Sequence, residues 1–433
     1  MAGGPNDRRG PQLLAIAGAL ALTVPGIFLR VTGVHVVSWL AALLFGLAVV
    51  GSAFILAWAA EAIQLDVSQG LALALLALIA VLPEYAVDFV FTWKAGEDPH
   101  RYAPLALANM TGGNRLLIGV GWSLVVFIAA WRMRVIAKRE KYTGPIDDEV
   151  HLDRGHSIEI GFLAVATVYS LTLPLKRTLT LFDSVVLVGL FVAYLVRIAR
   201  APASEPHLVG PALLVGNQTP IRRRIAIGVM FAFAAGVILL CAEGFAESLV
   251  ETGSEFGISE FLLVQWVAPL ASEAPELLIA GLFAWRLNTQ AALGALVSSK
   301  VNQWTLLVGT LPIVYAISSG ALHGLPLDAL QREELFLTAA QSAFAVAVLA
   351  NRSISVKEAA ALLGLFLSQF VLGAVLPEHL RELERIAVGV VYMVLAAVII
   401  YRQRRAVPGL VRDAFKTPVA ELVHEDPIAL GTA

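Results

Sequence analysis

The sequence predicts an all-α polytopic membrane protein with about twelve transmembrane helices, an inverted pair of five-helix repeats plus one extra helix at each end. Three observations predict it: an apolar composition, apolar runs of bilayer length, and a motif that occurs twice. Of 433 residues, 58% are hydrophobic and 15% charged, and the mean hydropathy is +0.77. A soluble domain is nearer half apolar and a quarter charged, so the surplus belongs to lipid-facing surface. The net charge of -2 supplies no basic field for nucleic acid. The single cysteine, Cys241, lies in an apolar run, reads as a small core residue, and excludes both an intrachain disulfide and a cysteine metal site.

A helix crosses a bilayer with about 20 apolar residues. Twelve segments qualify: 12–30, 37–60, 70–93, 103–130, 158–174, 180–198, 225–250, 258–284, 290–318, 334–350, 356–376 and 385–401. The first follows Arg8 and Arg9 and could be mistaken for a signal peptide. No small-x-small cleavage site follows it, and Pro25 and Phe28 stand where one is expected, so it reads as a span. Basic residues orient the set. Arg8 and Arg9, the group from Arg132 to Lys141, the group from Arg197 to Arg224, Arg286, Arg352 with Lys357, and Arg402 to Arg405 all fall on one side of an even number of spans. Both termini are therefore expected in the cytoplasm, with Arg30, Lys94, Lys176 and Arg177 as the minority on the other side.

The repeated motif sits in the third and eighth spans. Pro83 and Glu84 match Pro275 and Glu276, Phe91 and Trp93 match Phe283 and Trp285, and Lys94 matches Arg286. In the spans that follow, Ala106 to Asn114 matches Ala292 to Lys300. The copies are offset by five helices, an odd number, so they run in opposite directions through the membrane. Inverted repeats with a midplane substrate site are common in secondary transporters. The chain divides accordingly into an extra helix (1–36), a first repeat (37–200, motif region 70–130), a linker (201–224), a second repeat (225–376, motif region 258–318) and a last helix with its tail (377–433).

Acidic residues gather in those motifs. Glu84 and Asp88 are four apart and share a helix face, and so do Glu273 and Glu276, three apart. Carboxylates inside a spanning helix face a cavity, a partner or an ion. Four of them in two related places repel unless cations or protons intervene. That is hard-cation chemistry, built from oxygen ligands. Pro83 and Pro275 each remove a backbone donor and free a carbonyl one turn earlier. Asn109, Thr111, Gly112, Gly113 and Asn114 form a polar patch in the next span, and Ser298, Ser299, Lys300, Asn302 and Gln303 form its counterpart. Interhelical hydrogen bonding and close packing are the competing readings of those patches.

These paired motifs resemble the α-repeats of the cation/calcium antiporter superfamily, which includes the sodium/calcium exchangers. The family pattern is Gly-Thr-Ser-x-Pro-Glu followed by Ala-x-Gly-Asn-x-x-Gly-Ser-Asn. Pro83-Glu84 and Pro275-Glu276 match the first part, and Asn109, Asn114 and Ser299 fall on positions of the second. The resemblance implies antiport of a cation such as calcium against sodium or protons, with Glu84 and Glu276 central and Asn109, Ser298 and Ser299 supplying neutral oxygens. The chain departs from the pattern at Ile79-Ala80-Val81, at Ala271-Ser272-Glu273, at Ala295 and at Lys300. The candidate cation ligands are Glu84, Asp88, Asn109, Glu273, Glu276, Ser298, Ser299 and Asn302, with Lys300 as a charge partner for one of the acids or as a cation that snorkels at a helix end.

The leading expectation is a secondary cation antiporter without a cofactor, in the cell membrane, whose partners are inorganic cations and lipid. One alternative is a sodium/proton exchanger in which Lys300 replaces a bound cation. Another is a non-transporting receptor or scaffold that keeps the fold. An enzyme is disfavoured: Cys241 has no evident histidine partner and no His-Glu-x-x-His motif exists. Glu243 and Glu247 share a face and read as an ion or proton approach; the competing reading makes Glu247, Glu251 and Glu61 interfacial. Asp183 reads as a helix cap. The eight histidines show no metal-ligand spacing.

Overall fold

A computed structural model describes residues 9–66, 82–140, 149–200, 208 and 210–423. Residues 70–81 of the third predicted span, with Ile79, Ala80 and Val81, lie outside the described residues, as do Arg8 and Lys141. The helices are α1 (Arg9–Thr32), α2 (Ser38–Ile63), α3 (Leu82–Glu97), α4 (Pro99–Leu116), α5 (Ser123–Arg139), α6 (Ser157–Ser170), α7 (Leu181–Ile198), α8 (Pro211–Gly216), α9 (Pro220–Phe256), α10 (Glu260–Trp285), α11 (Thr289–Asn302), α12 (Val308–Ser319), α13 (Ala329–Val348), α14 (Val356–Val375), α15 (Glu378–Arg402) and α16 (Val407–Phe415). Among the described residues, ten helices are long and apolar enough to cross a membrane. They coincide with ten of the twelve predicted spans. Of the other two, the third starts outside the described residues. The ninth is the run from α11 to α12, whose first half carries Ser298, Ser299, Lys300, Asn302 and Gln303. Exposed positions on the spans are themselves apolar, as at Val168, Val185, Val229 and Leu239, which is the property of a lipid-facing surface.

The chain forms two compact units. Unit 1 comprises Met1–Gly113, Ala203–Glu276 and Thr310–Pro326. Its core joins Val87 and Phe91 of α3, Leu105 and Ala106 of α4, and Cys241, Phe245 and Leu249 of α9. Cys241 is a buried free thiol in that core. Small residues let the backbones approach, as membrane helices require. A Cβ on Gly46 would stand 3.0 Å from the Phe245 ring, and one on Gly244 would stand 2.7 Å from the Phe45 ring. Each of α2 and α9 thus lends a glycine to the other's phenylalanine. The 37 residues of α9 extend about 55 Å at 1.5 Å per residue, well beyond the hydrocarbon core, and end at Gly257 with φ +63°, the left-handed cap glycine tolerates.

Three of the four minority cations have an electrostatic reason to be where they are. Arg30 pairs with Glu243 at 2.6 Å and Lys94 pairs with Glu247, both in unit 1. In unit 2, Lys176 pairs with Asp183. Glu243 and Glu247 are thus ion-paired, with side chains 43% and 47% exposed.

At the other end of α2, Asp66 receives Arg223 Nη2 at 2.8 Å and Arg224 Nε at 2.9 Å. The Arg223 hydrogen bonds hold its carboxyl at about 2. A depressed carboxyl stabilises the fold at every pH above its ordinary value and stops doing so as pH falls through the folded value. Asp66→Asn is therefore expected to lower the melting midpoint in detergent at pH 7, by about 1 kcal/mol of stability. That difference should close between about pH 4 and pH 2; a gap that persists undiminished at pH 2 would show that the charge is not its source.

Unit 2 comprises Asn114–Pro202, Leu277–Gly309 and Leu327–Ala433. The strand Glu149–His151 pairs antiparallel with Ser353–Ser355, Val150 opposite Ile354. Ser355 then caps α14 through a box with Glu358. Asp413 of α16 takes both Arg154 Nε and Nη2 at 3.0 Å and Arg352 Nη1 at 3.3 Å, tying the tail to two loops. Asp183 is not the cap of α7: Thr180 is, with Asp183 as the reciprocal member of the capping box. The deeper feature of unit 2 is an ion pair between Arg115 Nη2 and Glu334 Oε2 at 2.6 Å, with side chains 0% and 6% exposed.

Candidate functional site

In unit 1, α3 carries Glu84 and Asp88, α4 carries Asn109 and Gly113, and α10 carries Glu273 and Glu276. The buried ones are Glu84, Asp88, Asn109 and Glu273, and Glu276 is half-buried. Gly113 is where two of the acids meet. A Cβ built on it would lie 2.8 Å from Glu273 Oε1 and 2.9 Å from Glu84 Oε1. The two carboxylate oxygens are therefore no further apart than those distances combined. At Gly112 a Cβ would collide with the carbonyl oxygen of Gln265. The glycine pair thus has both roles: Gly112 lets α4 close on α10, and Gly113 leaves room beside two carboxylates.

One turn along α3, Asp88 Oδ1 accepts the Asn109 amide at 2.8 Å. The amide nitrogen faces that carboxylate oxygen, so Oδ1 of Asn109 points elsewhere. Asp88 Oδ2 and Asn109 Oδ1 are buried with no hydrogen-bond partner among the described residues. A carboxylate oxygen and an amide oxygen left open in a buried place suit a hard cation. Thr111 is spent on its own helix, donating to Leu107 O at 2.7 Å. Among the described residues no group of three or more His, Cys, Asp and Glu is set to hold a metal ion; the unit offers a carboxylate pair at Gly113 and a separate Asp–Asn pair.

In unit 2, α11 presents the second motif. Ser298 Oγ accepts from Tyr194 OH at 3.3 Å and hydrogen-bonds the carboxyl of Glu159. Ser299 Oγ is buried with no hydrogen-bond partner among the described residues. Asn302 is 1% exposed. Lys300 is fully buried, which removes the snorkelling reading. Its ammonium donates to Asn114 O at 3.1 Å and Asn114 Oδ1 at 2.5 Å, and lies 4.6 Å from the centre of the Trp304 ring. Asn114 is the residue that the repeat aligns with Lys300, so the two counterparts touch each other.

The backbone repeats the correspondence. A π-helical segment, Leu117–Trp122, follows α4, and another, Gln303–Leu307, follows α11. Both begin three residues after the aligned pair Asn114 and Lys300. Single π turns inside α-helices collect at functional sites.

Sequence reasoning passed over Glu159 and Arg115. Glu159 stands in the first turn of α6, where an acid reads as a dipole partner, and its contact Ser298 is far along the chain. Arg115 follows the motif directly, but its partner Glu334 lies more than two hundred positions away. Near the Lys94–Glu247 pair, a cavity of about 210 Å³ is lined by Phe91, Lys94, Arg101, Tyr102, Glu247 and Glu251. Its charged groups are of both signs and Lys94 already engages Glu247, so as an ion approach it would be a balanced one.

The family described as sodium/calcium exchanger protein matches residues 37–199 and 227–374. The crystal structure of the H+/Ca2+ exchanger CAX shares 43% identity with this chain, with a TM-score of 0.84 over 93% of this chain and 97% of that one. The structure of native YfkE shares the fold at 15% identity and a TM-score of 0.58, over 87% of this chain and 100% of that one. No curated protein sequence matches the chain.

Proposed function

Because the chain belongs to the sodium/calcium exchanger protein family, we propose that it exchanges calcium for protons across its membrane. Membership makes it an integral multi-pass membrane protein and a secondary cation antiporter of the calcium-exchanger type, not an enzyme. The choice of the proton as coupling ion is supported by the likeness to the H+/Ca2+ exchanger CAX. The observation that carries the calcium site is the convergence of Glu84 and Glu273 on Gly113.

In this reading Glu84 and Glu273 bind the cation between them. Asp88 and Asn109 offer the next oxygens along α3 and α4, and Glu276 completes the acids of the second motif. Ser298, Ser299 and Asn302 are the neutral oxygens that the second motif offers within unit 2. Lys300 is a fixed cation held on Asn114 that fills the place of a mobile one. The repeats 37–200 and 225–376 are inverted, both termini are cytoplasmic, and alternating access exposes the acids to each side in turn.

Ion-resolved counterflow in proteoliposomes, with calcium, sodium and pH probes read in parallel, tests this. Calcium movement one way with proton movement the other, unchanged by removing sodium, is the expected result. The buried Lys300 favours one other reading, sodium/proton exchange with the ammonium occupying a cation site. Sodium-driven proton flux with no calcium flux at any sodium concentration would establish that reading and overturn the calcium one.

A further inference from the structure

Unit 2 contains a buried ionic cluster that lies outside the candidate cation ligands. It joins α4 (Arg115), α13 (Glu333 and Glu334) and α15 (Glu384 and Arg385). The helices α13 and α15 pack side by side. A Cβ on Gly389 would stand 2.9 Å from Phe336 Cδ1, and the Phe344 and Tyr392 rings are 5.8 Å apart. Arg385 Nη2 pairs with Glu333 Oε2 at 2.6 Å, and Arg115 Nη2 pairs with Glu334 Oε2 at 2.6 Å.

The charges do not cancel. Each arginine has its glutamate, and Glu384 is left over. It is 7% exposed, and its Oε1 has no hydrogen-bond partner among the described residues. It lies within electrostatic reach of Glu334, Arg385 and Arg115. The hydroxyl of Tyr392, two turns further along α15, is also buried without a hydrogen-bond partner among the described residues. The facing polar groups on α13 are Thr338 and Gln341. Thr338 donates to its own helix at Glu334 O, 2.7 Å away, and Gln341 donates to Arg115 O at 3.4 Å. On α15 itself, Arg381 is engaged with Leu376 O at 2.9 Å. On α14, which also packs against α15, Gln369 is buried and uncharged. None of these supplies the missing positive charge. An uncompensated buried carboxylate is costly, and two carboxylates near one guanidinium are relieved by a proton on one of them.

We propose that Glu384, Glu334 and Arg115 form a proton-binding site in unit 2 that holds one proton on its carboxyl pair. The proton arrives from water, binds a carboxylate oxygen and leaves to water; no other bond changes. Glu384 stands beyond residue 374, where the family match ends, whereas Arg115 and Glu334 lie within it, so the last helix contributes one member of the site. It is connected to the second motif by position: Arg115 follows Asn114, whose two oxygens hold Lys300. The significance of the site for transport rests on the proton coupling proposed above; its existence does not.

Infrared difference spectroscopy of the purified full-length chain between alkaline and acidic pH reads the site directly, through the C=O stretch of a protonated carboxylic acid. The parent chain is expected to show a buried-acid band that Glu384→Gln removes, with one proton fewer bound per chain. Glu334→Gln should remove the same band, because Arg115 then neutralises Glu384 and no proton is needed. This second variant leaves Glu384 in place and guards against a folding failure in the first. A band that persists in both variants overturns the proposal. Because the readout is a spectrum and not a flux, a parent chain without proton-driven calcium transport would refute the proposed function while leaving this site to be judged on its own band.

Discussion

Proteoliposomes carrying Glu84→Gln are expected to move calcium at least about a hundredfold more slowly than the parent chain. The change keeps the volume and removes one charge. Two unit charges 4 Å apart interact by about 4 kcal/mol at an effective dielectric of about 20, and a divalent cation doubles the stake; competition from desolvation takes part of it back. What remains exceeds the roughly 2.8 kcal/mol that makes a factor of a hundred, at about 1.4 kcal/mol for each factor of ten. Glu273→Gln should behave alike, since its Oε1 and that of Glu84 share the space at Gly113. Gly113→Ala tests the same geometry from the other side. Its methyl would stand less than 3.0 Å from both oxygens, so the carboxylates must separate and calcium affinity should drop while both charges stay. Transport at parent rates in Glu84→Gln and Glu273→Gln together would remove these residues from the cation path.

Arg115→Met should cost about 3–5 kcal/mol of stability, the usual penalty for removing one partner of a buried ion pair. The guanidinium is wholly buried and Glu334 nearly so; without it Glu334 loses its ion-pair partner, and the other arginine near Glu384, Arg385, is already paired with Glu333. A thermal melt in detergent measures the loss. Adding Glu334→Gln to Arg115→Met should restore most of it, since the pair is then replaced by neutral groups. A double variant no more stable than the single one would mean that Arg115 acts through packing and not through its charge.

Much of this was legible from residue order. Apolar run length located the spans well: 37–60 became Ser38–Ile63, and 180–198 became Leu181–Ile198. Helix ends beyond the apolar core were less visible. The helix α9 extends five residues before and six beyond 225–250, because it continues past the hydrocarbon with polar residues that hydropathy does not reward. The acids were found because a carboxylate in an apolar run is conspicuous and because the motif occurs twice. What was not legible is pairing at a distance. Nothing near Arg115 announces Glu334, and nothing near Glu159 announces Ser298. The π segments were hidden for another reason: one extra residue per turn leaves no mark in an apolar stretch. Lys300 was noticed, but whether it snorkels or buries depends on what Asn114 offers it, and that is tertiary.

The Asn114–Lys300 contact has an electrical consequence. A membrane potential does work only on charge that ends the cycle on the other side, about 2.3 kcal/mol per elementary charge per 100 mV. An ammonium anchored to Asn114 returns with the protein after every turnover, so the voltage does no net work on it. A free cation in the same place would add a unit to the current. On the proposed reading, in which Lys300 fills the place of a mobile cation, the fixed charge therefore leaves the flux no more sensitive to voltage.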